Sequence, residues 1–226
     1  LTFDGQNHMN TFPTSFRDGY LQITNLLQFS SLSISNAEKL EDEKLTCIVK
    51  DFYKQKAKLL QEKENITAED ILQAAVSFRE SGDYKAALRI VGLAKEILES
   101  EMNLDVDKKL QMDNRIYHIE NYSKIMLMQD EAMKFYSEGK IEESVETFKQ
   151  AFALNYLQAT HGVRINAVPI LALAGEKELA FEQLDLLSNK FKLQGNHRFI
   201  NDERCASLHK DKRWKKYMQI LEENGK

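Results

Sequence analysis

Ser81-Gly82-Asp83-Tyr84, Glu138-Gly139-Lys140-Ile141 and Ala174-Gly175-Glu176-Lys177 are the stretches on which the fold turns. Each ends one helical apolar period and opens another, and the same kinds of residue flank each at the same offsets. Four positions before the glycine stands a large apolar residue, Phe78, Phe135 or Leu171, and seven before stands Ala75, Ala132 or Val168. Five after comes a small residue (Ala87, Ser144, Ala180); nine after, Val91, Phe148 or Leu184; twelve after, Ala94, Ala151 or Leu187. Two helices folded back through a tight turn need a residue that accepts a positive φ at the turn. They also need small side chains where the backbones approach and large ones filling the gaps beside them. The offsets therefore predict antiparallel helix pairs with corners near residues 82, 139 and 175.

Composition agrees with a helical reading. Only 9 Gly and 2 Pro in 226 residues leave little material for hairpins, while 42% hydrophobic and 29% charged residues suit a globular chain. A net charge of −4 exerts no strong pull toward nucleic acid or an anionic bilayer. No apolar run approaches the roughly 20 residues that cross a membrane. Neither nucleic acid nor a membrane span is expected. Cys47 and Cys205 lie far apart in helical patterns and read as small core residues. His8, His118, His161, His197 and His209 never fall at the i, i+4 spacing that puts two ligands on one helix face. No metal and no cofactor are expected.

The Ser-rich run Ser30-Ser31-Leu32-Ser33-Ile34-Ser35 reads as a linker. Beyond it, Asn36 is expected to cap a helix carrying Leu40, Leu45, Ile48, Val49, Phe52, Leu59 and Leu60 on its apolar side. Thr67-Ala68-Glu69-Asp70 has the form of a capping box, and Asp105 is placed to open a long helix toward Tyr136. Pro169 falls where a helix interior should be and removes a bond to the Ile165 carbonyl, so a kink or a late helix start is expected there.

The offsets around the three glycines resemble the tetratricopeptide repeat. The second and third glycines are 36 residues apart, near the family's period of about 34. The first two are 57 apart, so a stretch over about 105–124 is either inserted or lengthens a helix, and the array is degenerate. Asn166-Ala167-Val168-Pro169 through Leu184, with the later Leu208-His209-Lys210-Asp211-Lys212-Arg213-Trp214, resembles the closing unit of many bacterial proteins of this kind. The resemblance implies an all-α fold over 36–226, a solenoid of antiparallel helix pairs with a capping segment at 196–226. It also implies a binding role, with a protein or peptide partner in the helical groove.

Residues 1–28 carry a different resemblance. They read as a short strand, a loop with Asn7-His8, and a helix opened by Pro13 that contains Asp18-Gly19. This is similar to the last strand, histidine loop and final helix of an esterase branch of the α/β-hydrolases. The resemblance makes residues 1–30 the carboxyl-terminal remnant of a hydrolase domain, and His8 the general base of a catalytic triad. In that family the serine and the acid precede the histidine, and no Gly-x-Ser-x-Gly occurs in this sequence. The expected function is then a non-catalytic interaction or scaffold domain of a larger esterase-like serine hydrolase, inactive by itself. The alternative is a stand-alone helical binding module with no hydrolase connection. Partners in the first reading include the missing hydrolase domain. Residues 1–28 are expected to pack on the solenoid or to pair with another copy of the chain, and the relatives' habit implies an exported bacterial protein.

Two further clusters have plainer readings. Trp214 with Lys210, Lys212, Arg213, Lys215 and Lys216 could bind an acidic partner. The spacing of Trp214, Tyr217, Ile220 and Leu221 instead describes an amphipathic helix whose lysines stay in water. Ile125-Met126-Leu127-Met128 and Met133 read as core before they read as an adaptable binding surface.

Overall fold

The computed structural model describes residues 28–31, 34, 36–101, 104–157 and 160–226. All regular structure among them is helical, with no strand. The strand, loop and helix expected over residues 1–27 lie outside the described residues. Nine α-helices are described: α1 (Asp42–Leu60), α2 (Ala68–Glu80), α3 (Tyr84–Ser100), α4 (Val106–Ser137), α5 (Ile141–Ala153), α6 (His161–Leu173), α7 (Lys177–Asp185), α8 (His197–Ile200) and α9 (Lys212–Glu223). The chain divides into two compact units, Leu1–Glu120 and Asn121–Lys226, and α4 gives its first half to one and its second half to the other. The long interval between the first two glycines is therefore a lengthened helix.

The three glycine corners close in the same way. Gly82, Gly139 and Gly175 have φ of 85°, 76° and 82°. In each, the residue after the glycine donates its N–H to the carbonyl five positions back: Asp83 to Phe78, Lys140 to Phe135, Glu176 to Leu171, all at 2.9 Å. The glycine N–H itself reaches Arg79, Tyr136 or Ala172 at 3.0–3.2 Å. This is the Schellman end, which satisfies two orphan carbonyls and turns the chain sharply. The apolar residue four before each glycine is thus the one whose carbonyl the turn closes on. Among the fifteen offset positions, all but Phe135 are at most 1% exposed.

In the first unit, α2 and α3 pack antiparallel: the Ala68 N–H at the start of α2 donates to the Glu101 carboxylate just past α3, at 2.9 Å. Thr67 and Asp70 form a reciprocal capping box, and Asp83 caps α3 by accepting the Ala86 N–H at 3.0 Å. Phe29 packs edge-on to Phe52 and against Phe78 with ring centroids 5.3 and 5.5 Å apart. The expected linker is anchored at Ser31, whose hydroxyl donates to the Ser77 carbonyl at 2.8 Å while its N–H donates to the Ser77 hydroxyl at 3.0 Å.

Three expectations fail in this unit. Asn36 does not cap a continuous helix; its φ is 56°, it makes no side-chain cap, and Ala37–Lys39 form a separate 3-10 turn. The break has a cause in Arg89 of α3, whose guanidinium binds the Ala37 and Leu40 carbonyls and the Asp42 carboxylate. Those two carbonyls are committed to an arginine from another helix, and α1 starts afresh at Asp42. On α1 the buried residues are Leu45, Val49 and Tyr53. Leu59 and Leu60 are 66% and 42% exposed, because the last turns of α1 run past the core. Cys47 is exposed rather than in the core; it lies between the two buried positions Leu45 and Val49, on the outward side of the same turn.

In the second unit, α6 packs on α7 and on a 3-10 turn at Glu203–Leu208. α6 begins at His161, eight residues before Pro169, so the late start expected there does not occur. Val168, Pro169, Ile170, Leu171 and Ala172 are all buried, and that packing outweighs one missing backbone bond. The chain continues from α7 into a π-helical turn, Leu186–Lys190, where the Phe191 N–H reaches the Leu186 carbonyl at 2.9 Å. Asn224 then ties α9 back by donating to the Ser188 and Leu193 carbonyls at 2.8 and 3.2 Å. Cys205 is fully buried, and burial pushes its thiol up to about 12.

Candidate functional site

His8, the one residue with a catalytic case from sequence, lies outside the described residues. No group of three or more His, Cys, Asp or Glu side chains among the described residues could hold a metal ion. The features that the geometry does offer are both in the second unit.

The first is an open groove of about 610 Å³ beside the Gly175 corner, lined by Glu142, Glu143, Val145, Glu146, Lys149, Ala174 and Glu176. Helical spacing creates it. Glu142, Glu146 and Lys149 recur at intervals of four and three along α5, so they share one face, and the corner brings Glu176 opposite Lys149. Lys149 Nζ donates to Glu176 Oε1 at 2.8 Å, and that bond raises the lysine above its ordinary range. One ammonium faces four carboxylates, so the groove as a whole is acidic. Leu173, 49% exposed, immediately precedes Ala174.

The second feature is Arg164, on the first turns of α6 and only 3% exposed. Its guanidinium carbon lies 4.9 Å from the Phe152 ring centroid and 5.9 Å from that of Phe191. Nη1 donates to Gln183 Oε1 of α7, which also fixes the two helices as antiparallel. Among the described residues Nε has no acceptor, and neither has the buried Nε2 of Gln183. Loss of solvent lowers the arginine's pKa, while Glu182 opposes that shift through charge alone, without bonding to it.

The basic cluster at the carboxyl end takes its plainer form. Trp214, Tyr217, Met218 and Leu221 are buried, Ile220 is half-buried, and Lys210, Lys212, Lys215 and Lys216 are exposed. Arg213 is engaged elsewhere: it grips Glu178 through both carboxylate oxygens at 2.7 and 2.8 Å and returns to Asp211 at 2.8 Å. Its guanidinium also lies 4.1 Å from the Phe181 ring centroid. The Asp-x-Arg pattern is a clamp that starts α9, and it occurs twice. Asp202 and Arg204 repeat it at 2.6 Å, with Tyr136 beneath the guanidinium at 5.4 Å. Of the Met-rich run, Ile125 is buried, and Met126 and Met133 pack against the core of this unit.

Neither Arg164 nor Gln183 was singled out by sequence. A signal existed for the first: Arg164 occupies the stripe that continues through Ala167, Val168 and Leu171, a charge on an otherwise apolar face. Nothing in the spacing of Gln183 marks it. Among the described residues, no helix is long and apolar enough to cross a membrane. No family model matches this sequence, and no curated protein and no solved structure is similar enough to it to carry an argument.

Proposed function

We propose that residues 36–226 form a non-catalytic interaction domain of the tetratricopeptide kind, taking a protein or peptide partner, and that it belongs to an esterase-like serine hydrolase. The observation that carries the first part is the corner repeated at Gly82, Gly139 and Gly175, with equivalent residues buried around each. Repeated helix pairs make grooves from neighbouring helices, and such grooves recognise extended or helical segments by surface complementarity. The groove at Gly175 has that character, and its excess of carboxylates favours a segment rich in lysine or arginine.

Attachment to a hydrolase rests on Asn7-His8, Pro13 and Asp18-Gly19. In that reading His8 is the triad base, and its serine and acid would come from sequence N-terminal to it. The chain by itself then binds without turning over.

Fluorescence anisotropy with a short labelled peptide rich in lysine and leucine, against its glutamate counterpart, tests the groove. Binding should be saturable, salt-sensitive and weakened about tenfold in the Glu142→Lys, Glu146→Lys double variant. Equal binding of the two peptides, or no effect of the double variant, removes the groove from the account. Hydrolysis of p-nitrophenyl acetate that disappears in His8→Ala would overturn the non-catalytic reading.

A further inference from the structure

We infer that the acidic groove is filled by the lysine row at the start of α9 of a second copy of the chain, an inference that rests on the groove's preference for basic segments. Charge accounting opens the case. In the groove Lys149 is committed to Glu176 at 2.8 Å, while Glu142, Glu143 and Glu146 meet no cation within ion-pair distance among the described residues. Elsewhere in the same unit Lys210, Lys212, Lys215 and Lys216 are exposed and meet no carboxylate within that distance among the described residues. Each row holds the charge that the other lacks. Like charges three and four residues apart on a helix repel one another, and joining the two rows relieves both repulsions.

The rows also match in pitch. Glu142 and Glu146 stand four residues apart on α5, as do Lys212 and Lys216 on α9, so each row repeats at about 6 Å. On α9 the buried residues are Trp214, Tyr217, Met218 and Leu221, and the helical period puts Lys212 and Lys216 on the opposite, exposed side. α9 does not turn that side onto the groove of its own chain. Its buried stripe holds it to the core, Arg213 grips Glu178 through both carboxylate oxygens, and the Tyr217 hydroxyl donates to Asp185 of α7 at 3.2 Å. A lysine row that reaches the groove therefore comes from another molecule.

The setting of the two rows selects a second copy over an unrelated basic protein. Glu176, on the groove wall, is the N-cap residue of α7, and Glu178, in the first turn of that helix, carries Arg213. The acidic and basic rows are thus neighbours on either side of one helix turn. A surface with opposite charges side by side is self-complementary under a two-fold rotation, because each row then falls on its opposite in the other copy. Val145 and Ala174 of the groove offer apolar contact to the lysine stems. With so little apolar area the contact belongs to the weak, salt-sensitive class, with a Kd of about 10–100 µM.

Sedimentation velocity of the full chain at low and high sodium chloride is the direct test. At about 200 µM protein and low salt the weight-average mass should lie well above the monomer's 26.2 kDa, and it should return to that value in about 0.5 M salt. Lys212→Glu with Lys216→Glu should weaken association about tenfold or more, and so should Glu142→Lys with Glu146→Lys. All four residues are exposed, so circular dichroism should be unchanged in both variants. An equimolar mixture of the two variants should associate again, since every reversed row then meets its opposite. A wild type that stays monomeric, association that survives either reversal, or a mixture that stays apart overturns the inference. The labelled lysine–leucine peptide separates this from the groove itself. Peptide binding by a wild type that stays monomeric overturns only the second copy as occupant, whereas loss of peptide binding as well discards the groove.

Discussion

The α2–α3 hairpin and the α6–α7 hairpin turn through the same glycine corner, but they treat their polar groups differently. At the first, Thr67 and Asp70 cap each other, Glu101 takes the Ala68 N–H at 2.9 Å, and Asp83 caps α3. At the second, the residues in the capping positions are committed elsewhere. Thr160 bonds backward to Leu157, Glu176 bonds Lys149, and neither caps its helix. Within this hairpin Arg164 is a buried cation that Glu182 influences through charge alone. A segment whose local choices all agree with its fold is built for stability. One that leaves several choices unmet is where another demand is acting, and the acidic groove lies along it.

The largest expected effect asks whether the two hairpins share one structural logic under this difference. Phe78 and Leu171 hold the same place in their corners and are both fully buried. Phe78→Ala should cost about 3–5 kcal/mol and Leu171→Ala about 2–5 kcal/mol, read from urea unfolding by circular dichroism. A cost near zero for Leu171→Ala would mean that the second corner is not load-carrying and that the equivalence is superficial.

The corners themselves come next. A methyl group at Gly82 or Gly175 would meet nothing within 4 Å, so the only cost of alanine is the backbone's positive φ. Each Gly→Ala change should therefore destabilise by about 1–2 kcal/mol, equally in the two hairpins. Gln61 supplies the converse. It ends α1 at φ 55°, with the Glu62 N–H on the Ala57 carbonyl at 2.9 Å and its own N–H on Lys58 at 3.3 Å. That is the same turn built on a residue with a side chain. Gln61→Gly should stabilise by up to about 1 kcal/mol, and an unchanged urea midpoint would show that the strain is relieved elsewhere.

Gln61 also shows what sequence could and could not carry. Gly82, Gly139 and Gly175 were legible because glycine is the residue that accepts a positive φ freely, and their offsets recur. The identical turn at Gln61 left no mark, since glutamine has no preference for it. Thr67-Ala68-Glu69-Asp70 was legible because both partners of the box lie within four residues of one another. The break before α1 was not, because its cause is Arg89, 47 residues from the Asp42 that it binds. Arg164 could have been noticed as a charge on an apolar stripe. Its orphaned Nε could not, because that depends on where Gln183 and Phe191 arrive in space. Cys47 could have been placed correctly: two positions after Leu45 and two before Val49, it lies across the helix from the buried stripe.

The smallest effect sharpens the comparison at the end of the second unit. Asp211 accepts the side-chain and backbone hydrogen bonds of Arg213, which hold its carboxyl at about 2, below the ordinary 3.8. A carboxyl lowered on folding stabilises the fold fully above its unfolded value, and that contribution disappears as pH falls through the folded value. The pairing therefore acts in full above pH 4 and is lost toward pH 2, and exposure to solvent keeps its size modest. Asp202, held down chiefly by its bond to Arg204, changes in the same direction. Trp214 is the only tryptophan and lies three residues past Asp211, so its fluorescence reports unfolding of this unit. Between pH 5 and pH 2.5 the urea midpoint should fall further in the wild type than in Asp211→Asn, which keeps a capping oxygen but has no carboxyl to protonate. Parallel falls in the two proteins would assign the acid sensitivity to the other lowered carboxyls, Asp202 and Glu178, and leave the Asp211–Arg213 contact as geometry alone.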